Sequence, residues 1–336
     1  MRAVLLRKSG PPESLRVEEH PDPTPKPGEV LIRVKAIGVN FADVMARQGL
    51  YPEAPRRPYV PGYETSGDVA ALGEGVTGLR VGQRVLAYHL NGGYAEMVAA
   101  PADQVFPIAD SVAYQSAVVL PLNYGTAYCA LYRTGPVEPG MRVFIHAAAG
   151  GVGMAAVDFC RREGLEITGS AGSHLKRARL IAEGVRHVVS SRRLHVDRLT
   201  RRLYDGPGYD IILDSVGGRR IRWDLRSLRP GGRVVSLGVG GMSGRGILGA
   251  LHFLLRTSRF SYLDLLRPSL AIHGLNMRWL LNDRPLMRGV MGDLIAKMEA
   301  GEIRPHPGRV MTLDEVGEAH RMLQSRGVVG KVVLRT

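Results

Sequence analysis

The chain has 336 residues, 45% of them hydrophobic, with 42 glycines, 21 prolines and a formal net charge of +14. At about 100–200 residues per domain this length predicts two domains, and a mean hydropathy of -0.04 with no repetitive tract excludes collagen-like or wholly disordered structure. The two cysteines, Cys129 and Cys160, belong to no C-x-x-C pair, which excludes a disulfide framework or thiolate metal cluster and favours a reducing, cytoplasmic compartment.

The positive charge is mostly arginine, and the doublets Arg192-Arg193, Arg201-Arg202 and Arg219-Arg220 are separated by mixed residues. That pattern reads as a solvated basic surface and argues against nucleic acid as a partner, which would call for one basic run with interleaved aromatics. Met1 leads straight into the strand-like Arg2-Ala3-Val4-Leu5-Leu6, without the succession of a signal peptide. No stretch reaches the roughly 18 uninterrupted apolar residues of a membrane span.

Up to about residue 118 the chain reads as short strands cut by turns: 30–34, 65–72 and 84–87, with Pro25-Lys26-Pro27-Gly28 and Pro61-Gly62 among the breaks. This predicts an all-β, barrel-like region. From Ala117 apolar strands alternate with helical stretches, the pattern of a parallel sheet with crossover helices. Strands are expected at 142–146, 166–169, 187–189, 210–213, 233–237 and 271–275. A helix at 285–300, a β stretch at 309–312, a helix at 314–325 and a strand at 330–334 close the chain. A doubly wound sheet binds its ligand beyond the carboxyl ends of its strands, which directs attention to 147–153, 170–176, 190–193 and 214–218.

The sharpest local signal is Val143-Phe144-Ile145-His146-Ala147-Ala148-Ala149-Gly150-Gly151-Val152-Gly153, a strand, a small-residue turn and a helix start. Ala148, Gly150 and Gly153 occupy the G-x-G-x-x-G spacing, which lets backbone approach a pyrophosphate at a helix N-terminus. Ala149, Gly150, Gly151, Val152 and Gly153 are therefore candidate dinucleotide contacts. An NAD site would place Asp or Glu on the next strand, roughly 20 residues on. Ser170-Ala171-Gly172-Ser173 stands there, followed by Lys176 and Arg177, so Ser170, Gly172, Ser173 and Lys176 favour NADP(H). Arg192 or Arg193 is a second phosphate clamp or a solvated pair, and Ser215 and Val216 after Asp214 stand at the cofactor edge, where Asp214 itself positions backbone.

The segments Gly38-Val39-Asn40-Phe41-Ala42-Asp43-Val44-Met45-Ala46-Arg47-Gln48-Gly49-Leu50-Tyr51-Pro52, Pro61-Gly62-Tyr63-Glu64-Thr65-Ser66-Gly67 and Leu122-Asn123-Tyr124-Gly125-Thr126-Ala127-Tyr128, with the glycine turn, occur in one order along the whole chain. In these the sequence resembles the medium-chain dehydrogenase/reductase superfamily, in its quinone oxidoreductase branch, and within it the VAT-1-like group. The resemblance implies an α/β protein with a GroES-like β-barrel catalytic domain at 1–118, a Rossmann NADP-binding domain at 119–276 and a C-terminal return to the catalytic domain at 277–336. It implies a homodimer, a cleft lined by Asn40, Asp43 and Tyr51, and Lys176 at the 2′-phosphate. Where the family often holds that phosphate with a tyrosine, this chain has Ser191. Zinc-dependent relatives carry a cysteine in the first motif and Gly-His-Glu in the second. Here 38–52 has no cysteine, Tyr63 replaces the histidine and no four-cysteine lobe occurs, so no metal site is expected.

A zinc-free site favours conjugate reduction, in which charge spreads onto a carbonyl oxygen that needs only hydrogen-bond donors and a proton. The expected activity is NADPH-dependent reduction of a quinone or α,β-unsaturated carbonyl, on a small hydrophobic substrate. The candidate catalytic groups are the Asn40 amide and the phenols of Tyr51 and Tyr63, with Asn123 and Tyr128 walling the pocket. For Asn40 contact with substrate is favoured over bracing its own loop, whereas Asp43 serves equally to brace the loop and the tyrosines to pack a barrel. Leu248, Leu251, Leu254, Leu255, Phe260, Leu263 and Leu266, with Arg256, Arg259 and Arg267, form an amphipathic segment within 241–268. A lid or subunit contact is favoured for it over a membrane surface. The alternatives are a pathway-specific enoyl reductase and a non-catalytic NADP-binding protein associated with membrane or nucleic acid.

Overall fold

The computed structural model describes residues 1–192, 194–204, 208–242, 246–255, 257 and 259–336. Arg193 and Arg256, named above as candidate contributors, lie outside the described residues, as does the side chain of Leu248. The chain divides into two compact units, one of Met1–Gly125 with Met277–Thr336 and the other of Thr126–Asn276.

In chain order the elements are β1 (Arg2–Val4), β2 (Val17–Glu19), β3 (Glu29–Val39), α1 (Phe41–Arg47), β4 (Glu64–Leu72), β5 (Arg84–Tyr88), β6 (Met97–Pro101), β7 (Val105–Pro107) and α2 (Tyr114–Ala117). There follow α3 (Gly125–Tyr132), β8 (Arg142–Ile145), α4 (Gly151–Arg162), β9 (Glu166–Ala171), α5 (His174–Ala182), β10 (His187–Ser190), α6 (Val196–Tyr204), β11 (Tyr209–Asp214), α7 (Ile221–Leu225), β12 (Leu228–Ser236), α8 (Gly246–Leu255), α9 (Tyr262–Leu266) and β13 (Ala271–Gly274). The return comprises α10 (Met277–Leu280), α11 (Arg284–Glu299), β14 (Pro307–Thr312), α12 (Val316–Gln324) and β15 (Lys331–Arg335).

The first unit is built on a seven-stranded sheet in the order β14-β15-β3-β4-β5-β7, with β6 also paired to β3. In β3 the apolar Val30, Ile32 and Val34 are buried while Arg33 and Lys35 face solvent, the period-two alternation of a half-covered strand. The last strand, β15, pairs antiparallel with β3, Val332 opposite Val39 and Leu334 opposite Ile37. The core joins both ends of the chain, since Val30, Ile32 and Val69 share a cluster with Met311, Val316 and Leu334.

The first part of this unit is not all-β as its turn-rich sequence predicts. Phe41–Arg47 forms a helix whose start is held by Asp43, its carboxylate accepting the Asn40 N–H at 2.8 Å while its own N–H donates to the Asn40 carbonyl at 3.1 Å.

The second unit is a six-stranded parallel sheet in the order β10-β9-β8-β11-β12-β13. Its central strands read as unbroken apolar runs because helices cover both faces of such a sheet: Val143, Phe144 and Ile145 in β8, and Ile211, Ile212 and Leu213 in β11, are at most 1% exposed. The strand order reverses between β8 and β11, so the ends of those two strands border the switch-point crevice.

Candidate active site

At the end of β3 the backbone delivers Asn40 into a buried polar cluster of the first unit. Its Nδ2 donates to Glu64 Oε1 at 2.9 Å and lies 3.4 Å from the Gly38 carbonyl oxygen. Its Oδ1 accepts from Lys331 Nζ at 2.5 Å. Lys331 Nζ also forms an ion pair with Glu64 and reaches Asn123 Oδ1 at 3.4 Å, and Glu64 Oε2 accepts the Leu122 N–H at 2.9 Å. Both charged side chains are almost wholly sequestered, 2% and 0% exposed. Such a pair is tolerated because its remaining lone pairs and protons are satisfied. Gly38 leaves the space: a Cβ there would lie 2.2 Å from Glu64 Oε1.

Neither Glu64 nor Lys331 stands among the candidates read from the sequence. Glu64 lies inside a quoted motif, while Lys331 begins an apolar strand 267 residues away. The available signal is that a lysine opening a buried strand requires a partner. Asn123 sits in a π-helical turn, Leu120–Tyr124, and its buried Nδ2 has no hydrogen-bond partner among the described residues.

Asp43 is 2% exposed and closes the capping box, its Oδ2 accepting the Asn40 N–H at 2.8 Å. Burial pushes its carboxyl up to about 7, against the opposing pull of the Asn40 N–H, the Tyr94 hydroxyl and Lys331. The rings of Tyr51 and Tyr63 meet edge to face, centroids 6.4 Å apart. Neither hydroxyl bonds another described residue. Burial raises Tyr51 to about 12 and Tyr63 further, so both remain protonated donors at neutral pH. Tyr128 stands on α3, in the second unit, packed against Tyr132 at 5.0 Å and Phe159 at 6.2 Å.

In the second unit the parallel strands bring the turns after β8, β9, β10 and β11 to one edge. Gly150 is the N-cap of α4 and supplies no side-chain cap, so the first-turn amides of Gly151, Val152 and Gly153 are left for an anion. Gly153 permits the close turn, since a Cβ there would lie 2.5 Å from the Ala148 carbonyl oxygen and 2.6 Å from that of Ala147. Ala149, at 1% exposure, packs inward. Ser170 is buried and braces the turn, its Oγ accepting the Ala147 N–H at 3.3 Å and its carbonyl the Ala148 N–H at 3.0 Å.

After β9, Gly172 is exposed and Ser173 caps α5, accepting the Lys176 N–H at 3.3 Å. Lys176 is half-buried on the first turn. Arg192 is exposed, with its N–H directed to Ser190 Oγ at 3.3 Å. After β11 the Asp214 carboxylate accepts from Val216 N at 2.7 Å and Gly217 N at 3.0 Å, and Ser215 Oγ donates to the His146 carbonyl at 3.5 Å. An uncapped helix start, a glycine turn with no room for a Cβ, and a stretch 170–173 that holds no Asp or Glu and leads into Lys176 together fit a dinucleotide bearing a 2′-phosphate.

The family model described as "Alcohol dehydrogenase GroES-like domain" matches residues 26–110, and that described as "Zinc-binding dehydrogenase" matches residues 183–334. They define an oxidoreductase with a GroES-like domain and a parallel-sheet nucleotide-binding domain. The human synaptic vesicle membrane protein VAT-1 homolog is 36% identical over 99% of this chain and 86% of its own length. The crystal structure of a human VAT-1 homolog-like protein aligns at a TM-score of 0.86 and 32% identity, covering 100% of this chain and 98% of its own. Quinone oxidoreductase from Escherichia coli, solved in complex with NADPH, aligns at 0.88 and 25% identity over 100% of both chains. The chain belongs to the medium-chain dehydrogenase/reductase family, in its VAT-1/quinone oxidoreductase branch. Among the described residues no helix is long and apolar enough to cross a membrane.

Proposed function

We propose that this chain is an NADPH-dependent reductase of quinones or α,β-unsaturated carbonyls that works without zinc. The cofactor is NADP(H), which supplies the hydride when bound. The amides of Gly151, Val152 and Gly153 receive the pyrophosphate, and Lys176, with Arg192 as a second cation, meets the 2′-phosphate. The Tyr51 and Tyr63 hydroxyls donate to the substrate oxygen on which charge develops. With Nδ2 turned toward Glu64, Asn40 acts by holding its loop, and Asp43 braces the helix that follows.

The observation that carries this reading is a pair of protonated phenols with unengaged hydroxyls in the unit where the sequence has lost the cysteine and histidine of a catalytic zinc site. The test is cofactor oxidation with a panel of quinones and enones, using NADPH, NADH and a Lys176→Ala variant. Turnover with NADPH that falls in the variant by roughly 10–100-fold, with NADH turnover unchanged, is expected for loss of one charge-assisted phosphate contact. Tight NADPH binding without turnover on any acceptor would favour a pathway-specific enoyl reductase or a non-catalytic role. Stoichiometric zinc in protein purified without added metal would refute the zinc-free assignment.

A cytoplasmic homodimer is part of the same proposal. It is supported by the absence of paired cysteines and by the exposed apolar residues Leu251, Leu254, Leu255, Tyr262, Leu263 and Leu266 on α8 and α9, a surface suited to a second copy. Sedimentation at the monomer mass would refute the dimer.

A further inference from the structure

His146 is the last residue before the glycine turn. Its side chain and that of Asp224 in α7 are both 0% exposed and bond through Nε2 and Oδ1 at 3.0 Å. Asp214 is equally buried, and one ligand atom from each of the three residues falls within 4.8 Å of the others. The three residues come from the end of β8, the end of β11 and α7. The His146 backbone is tied to the same neighbours, its N–H donating to the Leu213 carbonyl at 2.9 Å and its carbonyl accepting from Ser215 Oγ at 3.5 Å.

The next residue, Ala147, has φ of 49°, in the left-handed region that a Cβ disfavours. Such backbone persists where its surroundings over-determine it. Stability alone gives little reason for a buried imidazole and carboxylate here, because an apolar pair of similar volume serves a core as well or better.

We propose that the His146–Asp224 pair is a positioning device that fixes the strained start of the Ala147–Gly153 turn against the Ser215–Gly217 turn, setting the uncapped amides of α4 for a pyrophosphate before it arrives. This rests on the NADP(H) reading above. A loop ordered in advance spares the cofactor the cost of ordering it.

The test compares the wild-type chain with Asp224→Asn, whose amide oxygen still accepts the imidazole N–H, and with the double variant His146→Leu/Asp224→Leu, which fills the site with apolar side chains. The readouts are thermal unfolding, hydrogen–deuterium exchange of residues 147–153 without cofactor, and KM for NADPH against KM for a quinone. The double variant is expected to melt at or above the wild-type temperature, yet to exchange faster than the wild type at 147–153 and to lose NADPH affinity by about tenfold, with the quinone KM unchanged. Asp224→Asn is expected to keep both properties near those of the wild type.

A folded double variant with wild-type exchange and wild-type NADPH KM overturns the proposal. So does one equivalent of bound metal in the wild type that is lost in Asp224→Asn, since the three residues would then be ligands. A wild-type chain that binds no NADPH, but whose loop exchange still responds to the double variant, refutes the cofactor reading and leaves the bracing of the turn demonstrated.

Discussion

Lys331 Nζ donates to Asn40 Oδ1 across 2.5 Å, joining side chains 291 positions apart in the chain. The same ammonium is paired with Glu64, so one C-terminal lysine anchors both segments that carry the candidate catalytic residues of the first unit. Lys331→Met would leave the Glu64 carboxylate buried and unpaired, which typically costs about 3–5 kcal/mol. The expected result is a corresponding fall in unfolding free energy in urea, partly recovered in the Lys331→Met/Glu64→Gln double variant. Equal stabilities of the single and double variants would remove the pair from this role.

The two phenols are separable from the cofactor residues. Tyr63→Phe and Tyr51→Phe each delete only a hydroxyl, and a donor aimed at developing oxyanion charge is worth about 10²–10³ in kcat. At least one of these variants is expected to lose activity on that scale while NADPH affinity, measured by fluorescence titration, stays unchanged. Wild-type kcat in both would assign the tyrosines to packing.

Asp43 makes stability depend on pH in a direction opposite to that of an ordinary surface carboxylate. Burial raises its pKa from 3.8 to about 7 in the folded chain. Between those values the folded state holds a proton that the unfolded state releases, so stability is full below pH 3.8 and is lost as pH rises through 7. Asp43→Asn keeps an oxygen for the capping box and cannot ionise. It is expected to exceed the wild type by roughly 2–4 kcal/mol at pH 8 and to match it near pH 4. His89 acts in the other sense: burial lowers it from 6.5 to about 4, so its contribution is present above 6.5 and lost on acidification. Taking the difference between variant and wild type at each pH cancels that term.

Gly153 is the position where the turn meets its steric limit. Gly153→Ala drives a methyl into two backbone carbonyls, which do not yield as a flexible side chain would. The expected cost is about 1–3 kcal/mol in stability, together with a large loss of NADPH affinity by titration. An undisturbed Kd would show that the helix start does not approach the cofactor.

The parallel sheet, the glycine turn and the positions of the strands from 142 to 275 were legible in the sequence because each is encoded over a few consecutive residues: an apolar run, small residues at fixed spacing, then a helical period. Asn40 and Asp43 also carried a local signal, a cap and an acid three residues on, but it was masked by the Gly- and Pro-rich turns around it. The helix at 41–47 is fixed by the Asp43 carboxylate closing back on the Asn40 N–H.

What the sequence alone determined is therefore the two-unit architecture in outline, the glycine turn with no carboxylate on the strand that follows, and a first motif without cysteine and a second with Tyr63. Only the tertiary structure decided that Asn40 turns its amide to Glu64, that Lys331 closes that cluster, that the Tyr51 and Tyr63 hydroxyls bond no other described residue, and that His146 meets Asp224 behind the turn. The physical reason is that periodicity and turn chemistry act between neighbours in the chain. A buried charge or polar group instead finds its partner wherever the fold brings one, here 267 residues away for Lys331 and 78 for His146.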